Sequence, residues 1–176
     1  MSILKVASLG HPVLRKKAKK VSKTTIKSGQ FQTFCDDLLQ TVQDYDGVGL
    51  AAPQVHESQR VIVVNLEENN SRYDTQERFC RKVFINPVVI PLNNEMVESW
   101  EGCLSLKDLR GLVPRYKNIK LKALDRNGHP IEFETDTFLS IVLQHEIDHL
   151  NGILLIDRVE DTSSLSFHAE LIKYST

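Results

Sequence analysis

The clearest pattern along the chain is helical. Phe31, Phe34, Cys35, Leu38, Leu39, Val42 and Tyr45 recur at i, i+3, i+4, i+7, i+8, i+11 and i+14. They form one apolar stripe and predict an amphipathic helix over residues 31–45. Cys35 lies inside the stripe and reads as a small buried core residue. Residues 46–54 (DGVGLAAPQ) are too rich in glycine and small side chains to continue that helix. They precede four consecutive apolar residues, Val61 to Val64, which predict a buried strand. Residues 67–80 are polar and aperiodic and read as a surface loop with Cys80 at its end, followed by strand-like runs at 83–85 and 88–92.

Further on, Ile119, Leu121 and Ala123 alternate with Lys120 and Lys122, and Ile131 and Phe133 alternate with Glu132 and Glu134. Asn127-Gly128 between them predicts a hairpin with one face in the core and the other in water. The last strong element is 136–152, apolar almost all round at Phe138, Leu139, Ile141, Val142, Leu143, Ile147 and Leu150. That composition predicts a helix buried inside a domain, with Asp136 or Thr135 as its N-cap and Asn151-Gly152 as its stop. The class implied is α+β, with mixed or antiparallel strands around a central buried helix. No repeat, low-complexity tract or linker divides the chain, so residues 1–176 are expected to form one domain.

Composition narrows the function classes. The chain has 176 residues, 41% hydrophobic and 26% charged, an ordinary globular balance. With 22 basic against 23 acidic residues it lacks the basic excess of a dedicated nucleic-acid binder, and specific DNA binding is not expected. No apolar run approaches the roughly 18–20 residues of a membrane span. The N-terminal charges follow a broken apolar stretch, the wrong order for a secretory signal. Three widely spaced cysteines do not suggest a disulfide framework. A cytoplasmic location is expected.

Within the 136–152 helix stands His145-Glu146-Ile147-Asp148-His149. Histidines four apart lie one turn above each other on one face, so both imidazoles can reach one point. The intervening glutamate can reach a water held there, which is the HExxH arrangement of two metal ligands and a general base. Burying two histidines and a glutamate in an apolar helix without such a role is costly. A catalytic site needs a third protein ligand and one open position. Position 155 is Leu155, which excludes the spacing that supplies a third histidine. Glu170 lies 21 residues after His149 but close to the end of the chain, and Cys103 in Trp100-Glu101-Gly102-Cys103-Leu104-Ser105 is the other candidate. A thiolate there would be a strong ligand for a divalent ion.

Three segments carry a resemblance. Gly47-Val48-Gly49-Leu50-Ala51-Ala52-Pro53-Gln54, Glu101-Gly102-Cys103-Leu104-Ser105 and Gln144-His145-Glu146-Ile147-Asp148-His149-Leu150 closely match, in order and at similar spacing, the three signature motifs of peptide deformylase. Gly10 to Arg15 also looks like the start of that family, and the resemblance spans about residues 5 to 160. It implies a catalytic domain that removes the formyl group from N-formyl-methionyl nascent peptides at a Cys-His-His metal site. The implied ion is ferrous iron, with zinc, nickel or cobalt also accepted by such donors. Carried over by position, Cys103, His145 and His149 bind the metal and Glu146 is the general acid/base. Gln54 and the Leu104 N–H hold the formyl oxygen, and the backbone of Val48, Gly49 and Gly102 docks the substrate. Asp46 and Arg115 match an acidic–basic pair bracing the mouth.

On the helix, Phe138, Ile141 and Val142 precede His145 by seven, four and three residues, and with Val48 and Leu104 they would line a methionine pocket. Lys107 stands where the family commonly has proline, which predicts an altered peptide preference. The run Arg15 to Lys20 reads as a solvated face, and a transient contact with the ribosome is the further partner considered. Two rival readings remain at this stage. One is a small HExxH metallopeptidase using Glu170. The other is a non-catalytic module built on a structural metal.

Overall fold

A computed structural model describes residues 2–66 and 79–174. It has mixed α and β structure in two antiparallel sheets. The helices are α1 (Lys23–Ile26), α2 (Gly29–Asp44), α3 (Phe138–Leu150) and α4 (His168–Tyr174). The strands are β1 (Gly49–Ala51), β2 (Val61–Leu66), β3 (Phe79–Pro91), β4 (Met96–Cys103), β5 (Leu106–Tyr116), β6 (Ile119–Leu124), β7 (Pro130–Thr135) and β8 (Ser166–Phe167). One sheet has the order β1-β2-β3-β6-β7 and the other β4-β5-β8. Among the described residues no helix is long and apolar enough to cross a membrane.

Every residue of β2 is buried, because the strand is covered on both faces. Val61 and Val63 join Phe31, Cys35, Leu38 and Val42 of α2 in one core cluster. Ile62 and Val64 face the other way, into a cluster with Leu139, Val142, Leu143, Ile147 and Leu150 of α3. The two-residue period of a strand thus divides one apolar run between two helices. Ser28 caps α2 by accepting from Phe31 N–H, so the helix begins two residues before the expected stripe, and Tyr45 at its end is exposed.

The hairpin around Asn127-Gly128 pairs Leu121 with Phe133, as the alternation requires, and Gly128 takes φ +84°. Its outward lysines meet the opposite strand, Lys120 with Glu132 and Glu134 and Lys122 with Glu132. Three boundaries differ from the sequence reading. The runs at 83–85 and 88–92 are one strand, β3, whose pairing shifts between Ile85 and Val88. Asn86 sits in that shift at φ +52°, and its side chain accepts from Val21 N–H and donates to Val21 O, so the irregularity is pinned. The N-cap position of helix α3 is Thr137 and not Asp136 or Thr135, since Thr135 still belongs to β7, and the Thr137 side chain makes no capping hydrogen bond. The expected loop at 67–80 lies outside the described residues up to 78, and β3 has begun by Phe79.

The hairpin of β4 and β5 had no counterpart in the sequence reading. Its register is regular from Met96↔Tyr116 to Gly102↔Arg110, then shifts to Cys103↔Leu106. The extra residues fall on the β5 side, where Asp108 takes φ +64°. This bulge ends β4 on Cys103 and leaves Leu104 and Ser105 as the turn.

Candidate active site

Three segments converge between the sheets. Helix α3 brings His145, Glu146 and His149, the end of β4 brings Cys103, and the short 3-10 turn Ala52–Val55 brings Gln54. One ligand atom each from Cys103, His145 and His149 lies within 4.8 Å of the others, and Cys103 Sγ is 3.2 Å from His149 Nε2. Gln54 is almost wholly buried, and its Oε1 accepts from Ala51 N–H at 2.8 Å. That bond fixes the amide, which directs Nε2 at Cys103 Sγ, 3.5 Å away, and Ser105 Oγ, 3.3 Å away.

The electrostatics favour a thiolate. Burial alone would raise the Cys103 thiol, but His149 and His145 more than offset it and hold it well below its ordinary value. Burial would likewise depress His145, yet the Cys103 and Glu101 partners raise it well above its usual range. Glu146 shows the opposite balance: burial pushes its carboxyl up to about 7 against the pull of both histidines. Its Oε2 is buried with no hydrogen-bond partner among the described residues, and the same holds for His149 Nδ1. Glu146 packs on bare backbone at Gly49, where a Cβ would stand 2.5 Å from Oε1.

A small cavity opens onto this cluster. Its walls are Gly47, Val48, Gly49 and Gln54 on one side, and Trp100 through Leu104 on another, with Phe138, Ile141, Val142, His145 and Glu146 from α3. The expected substrate wall, the formyl-oxygen donors, Cys103, His145 and Glu146 all line it; His149 belongs to the donor cluster without lining the cavity, and Asp46, Arg115 and Glu170 do not line it.

Comparison with known proteins identifies the family. The family model described as Polypeptide deformylase matches residues 3–164. The chain belongs to the polypeptide deformylase family. It is 39% identical over 177 residues to peptide deformylase 2 of Nostoc sp., across 99% of this chain and 97% of the relative. It is 34% identical over 171 residues to a peptide deformylase of Leptospira biflexa, covering 97% and 96%. Among solved structures, a Met-Ala-Ser-bound class I type b peptide deformylase of Acinetobacter baumannii superposes with TM-score 0.86 at 38% identity, over 90% of this chain and all of that one. A Thermotoga maritima peptide deformylase gives 0.79 at 35% identity, over 92% and 100%. The activity is that of the family, metal-dependent hydrolytic removal of the formyl group from formylated nascent peptides.

The donor set suits such a metal. A thiolate and two imidazoles converge, and no fourth Cys, His, Asp or Glu joins the group among the described residues. Three such donors would leave a fourth position open on an ion held there. Glu170, the rival ligand, is exposed on α4 and is not part of the group.

One carried-over pair is corrected. Arg115 does not brace the mouth with Asp46; it is buried beneath the ligands. Its Nε and Nη2 hold the two oxygens of Glu101 at 2.7 and 3.0 Å, and its Nη1 donates to Asp148 at 2.6 Å. β5 alternates, so Arg115 points inward opposite Val97 on the neighbouring strand.

The sequence reading missed Glu101 as a working residue of this deformylase. Its Oε2 lies 2.8 Å from His145 Nδ1, which directs the other ring nitrogen at the cluster. Burial would raise the Glu101 carboxyl, but Arg115 and His145 hold it down at about 2, so it stays ionised. Its place two residues before Cys103, on the same strand face, was the available signal. Trp100, 40% exposed, also lines the cavity.

Proposed function

We propose that residues 1–176 act as a single cytoplasmic deformylase domain in which Cys103, His145 and His149 hold one divalent ion, ferrous iron in the cell. The observation that carries this reading is the convergence of the three donors beside Glu146, a buried carboxylate with an unpartnered oxygen. Zinc, nickel and cobalt suit the same donors. The bound ion supplies Lewis acidity, which brings the pKa of a water from 15.7 to about 7.

Glu146 takes the proton of the attacking water and passes it to the departing amine. Its carboxyl is raised by burial to about 7, near the pH at which it must both accept and donate. The developing oxyanion on the formyl carbon is met by Gln54 Nε2 and the Leu104 N–H. Loss of one such donor typically costs about 100- to 1000-fold in turnover. The edge strands β1 at Gly49, with Val48 on the same wall, and β4 at Gly102 suit an extended N-formyl-methionyl chain lying as an added strand. Phe138, Ile141 and Val142 then receive the methionine side chain, since all three line the cavity beside His145. Transient contact with the ribosome, the source of such chains, completes the reading.

The decisive experiment pairs metal content with turnover. Cys103→Ala is expected to lose stoichiometric metal and Glu170→Ala to keep it. Glu146→Gln is expected to keep metal while turnover on a formyl-Met peptide drops by about 100- to 10,000-fold. Native turnover in metal-replete Glu146→Gln, or metal that follows Glu170, refutes the assignment.

A further inference from the structure

A row of charged side chains runs from His145 to the surface. His145 Nδ1 meets Glu101 Oε2, and Arg115 grips both Glu101 oxygens. The remaining Arg115 nitrogen, Nη1, donates to Asp148 Oδ2 at 2.6 Å. Arg158 closes the row, with Nη2 on Asp148 Oδ1 at 2.7 Å and Nε on Oδ2 at 3.0 Å. The side chains of Glu101, Arg115 and Asp148 are 5%, 4% and 8% exposed, whereas that of Arg158 is 45% exposed. Only the last link is substantially exposed.

The charge count explains why that link matters. Two buried carboxylates, Glu101 and Asp148, are held by one buried guanidinium, that of Arg115. Arg158 supplies the second positive charge and satisfies Asp148 with a two-point grip. With Asp148 satisfied, Arg115 can give two of its nitrogens to Glu101. Without Arg158, Asp148 loses its two-point grip and competes for the Arg115 guanidinium, and the Glu101 carboxylate that orients His145 loosens. We infer that Arg158 is a positioning residue for His145, acting through Asp148, Arg115 and Glu101 to keep the ring aimed at the metal. This rests on the reading of Cys103, His145 and His149 as the ligands.

A plain surface ion pair would contribute little and would not be felt at the site. The pair of Arg126 with Asp36 provides a matched control. Its side chains are 38% and 41% exposed, and Arg126 also bonds Gln32 rather than any member of the row. The test uses metal-loaded native, Arg158→Gln, Arg158→Lys and Arg126→Gln proteins, and follows metal loss to excess chelator alongside KM and kcat for a formyl-Met peptide. Arg158→Gln is expected to lose metal about tenfold faster, the low end for groups that orient a ligand. KM should stay native, Arg158→Lys should fall between, and Arg126→Gln should match native.

The sign of the effect is diagnostic. Removing a positive charge near a bound cation would by its field alone slow metal loss, whereas loss of positioning speeds it. An unchanged or slower rate in Arg158→Gln overturns the inference while leaving the ligand reading intact. Equal acceleration in Arg126→Gln overturns it too, as general loosening. A native protein without stoichiometric metal overturns the ligand reading and this inference together.

Discussion

Gly49→Ala perturbs the base without touching its chemistry. An added Cβ at position 49 would lie 2.5 Å from Glu146 Oε1, 2.8 Å from Cγ and 2.9 Å from Cδ, against an ordinary contact of 3.4 Å or more. Glu146 is 4% exposed and cannot swing into water, so it must retreat within its pocket. The retreat needed is about 0.5 to 0.9 Å, and misplacement by about 1 Å can cost on the order of 100-fold. That is about 2.7 kcal/mol in the barrier. Overpacking of this kind also costs about 1–3 kcal/mol of stability, or a Tm lower by roughly 2–12 °C for a chain of this size. Gly49 pairs with Val64 in the sheet and is not at positive φ, so the strand itself accepts alanine. The assay is steady-state kinetics on a formyl-Met peptide, with metal content and Tm measured on the same sample. The expected result is a kcat about 100-fold lower at unchanged metal content. Native kcat with stoichiometric metal would show that Glu146 is not the group held in place by Gly49, and the proton role assigned to it would fall.

Two further outcomes are expected. Val142→Phe places a larger ring in the wall of the cavity, so kcat/KM should drop more on formyl-Met than on formyl-Gly peptides, and an equal drop on both would mean that Val142 only packs the core. Burial pushes the Cys35 thiol from 9.0 up to about 12, so the folded state keeps a proton that the unfolded chain releases above pH 9. Its stabilising contribution is full below about pH 9 and is lost as pH rises to about 12, at up to about 1.36 kcal/mol per pH unit. Denaturant melts of native and Cys35→Ala protein across that window should differ in slope, and parallel curves would count against the buried thiol.

Local order was legible in the residues themselves. The spacing that sets His145 and His149 on one helix face, the alternation around Asn127-Gly128 and the apolar run at Val61 to Val64 depend on neighbours within a few positions. The helix and strand periods translate those intervals directly into faces. The family motifs also singled out Cys103, His145 and His149, the three donors that converge, because residue type at a fixed interval is itself sequence information. Boundaries were less legible where several side chains compete: Thr135, Asp136 and Thr137 are all plausible caps, and Thr137 takes the position because β7 runs through Thr135. What only the tertiary structure decided is the pairing of distant segments. Cys103 reaches His149 across 46 positions, through a bulge in β4 and β5 that no local period announces. Arg115, matched with Asp46 as a pair bracing the mouth, is instead the buried guanidinium between Glu101 and Asp148. The direction of a side chain follows from strand register, and the partner it meets follows from how sheet and helix pack. Neither is encoded within a few residues of Arg115.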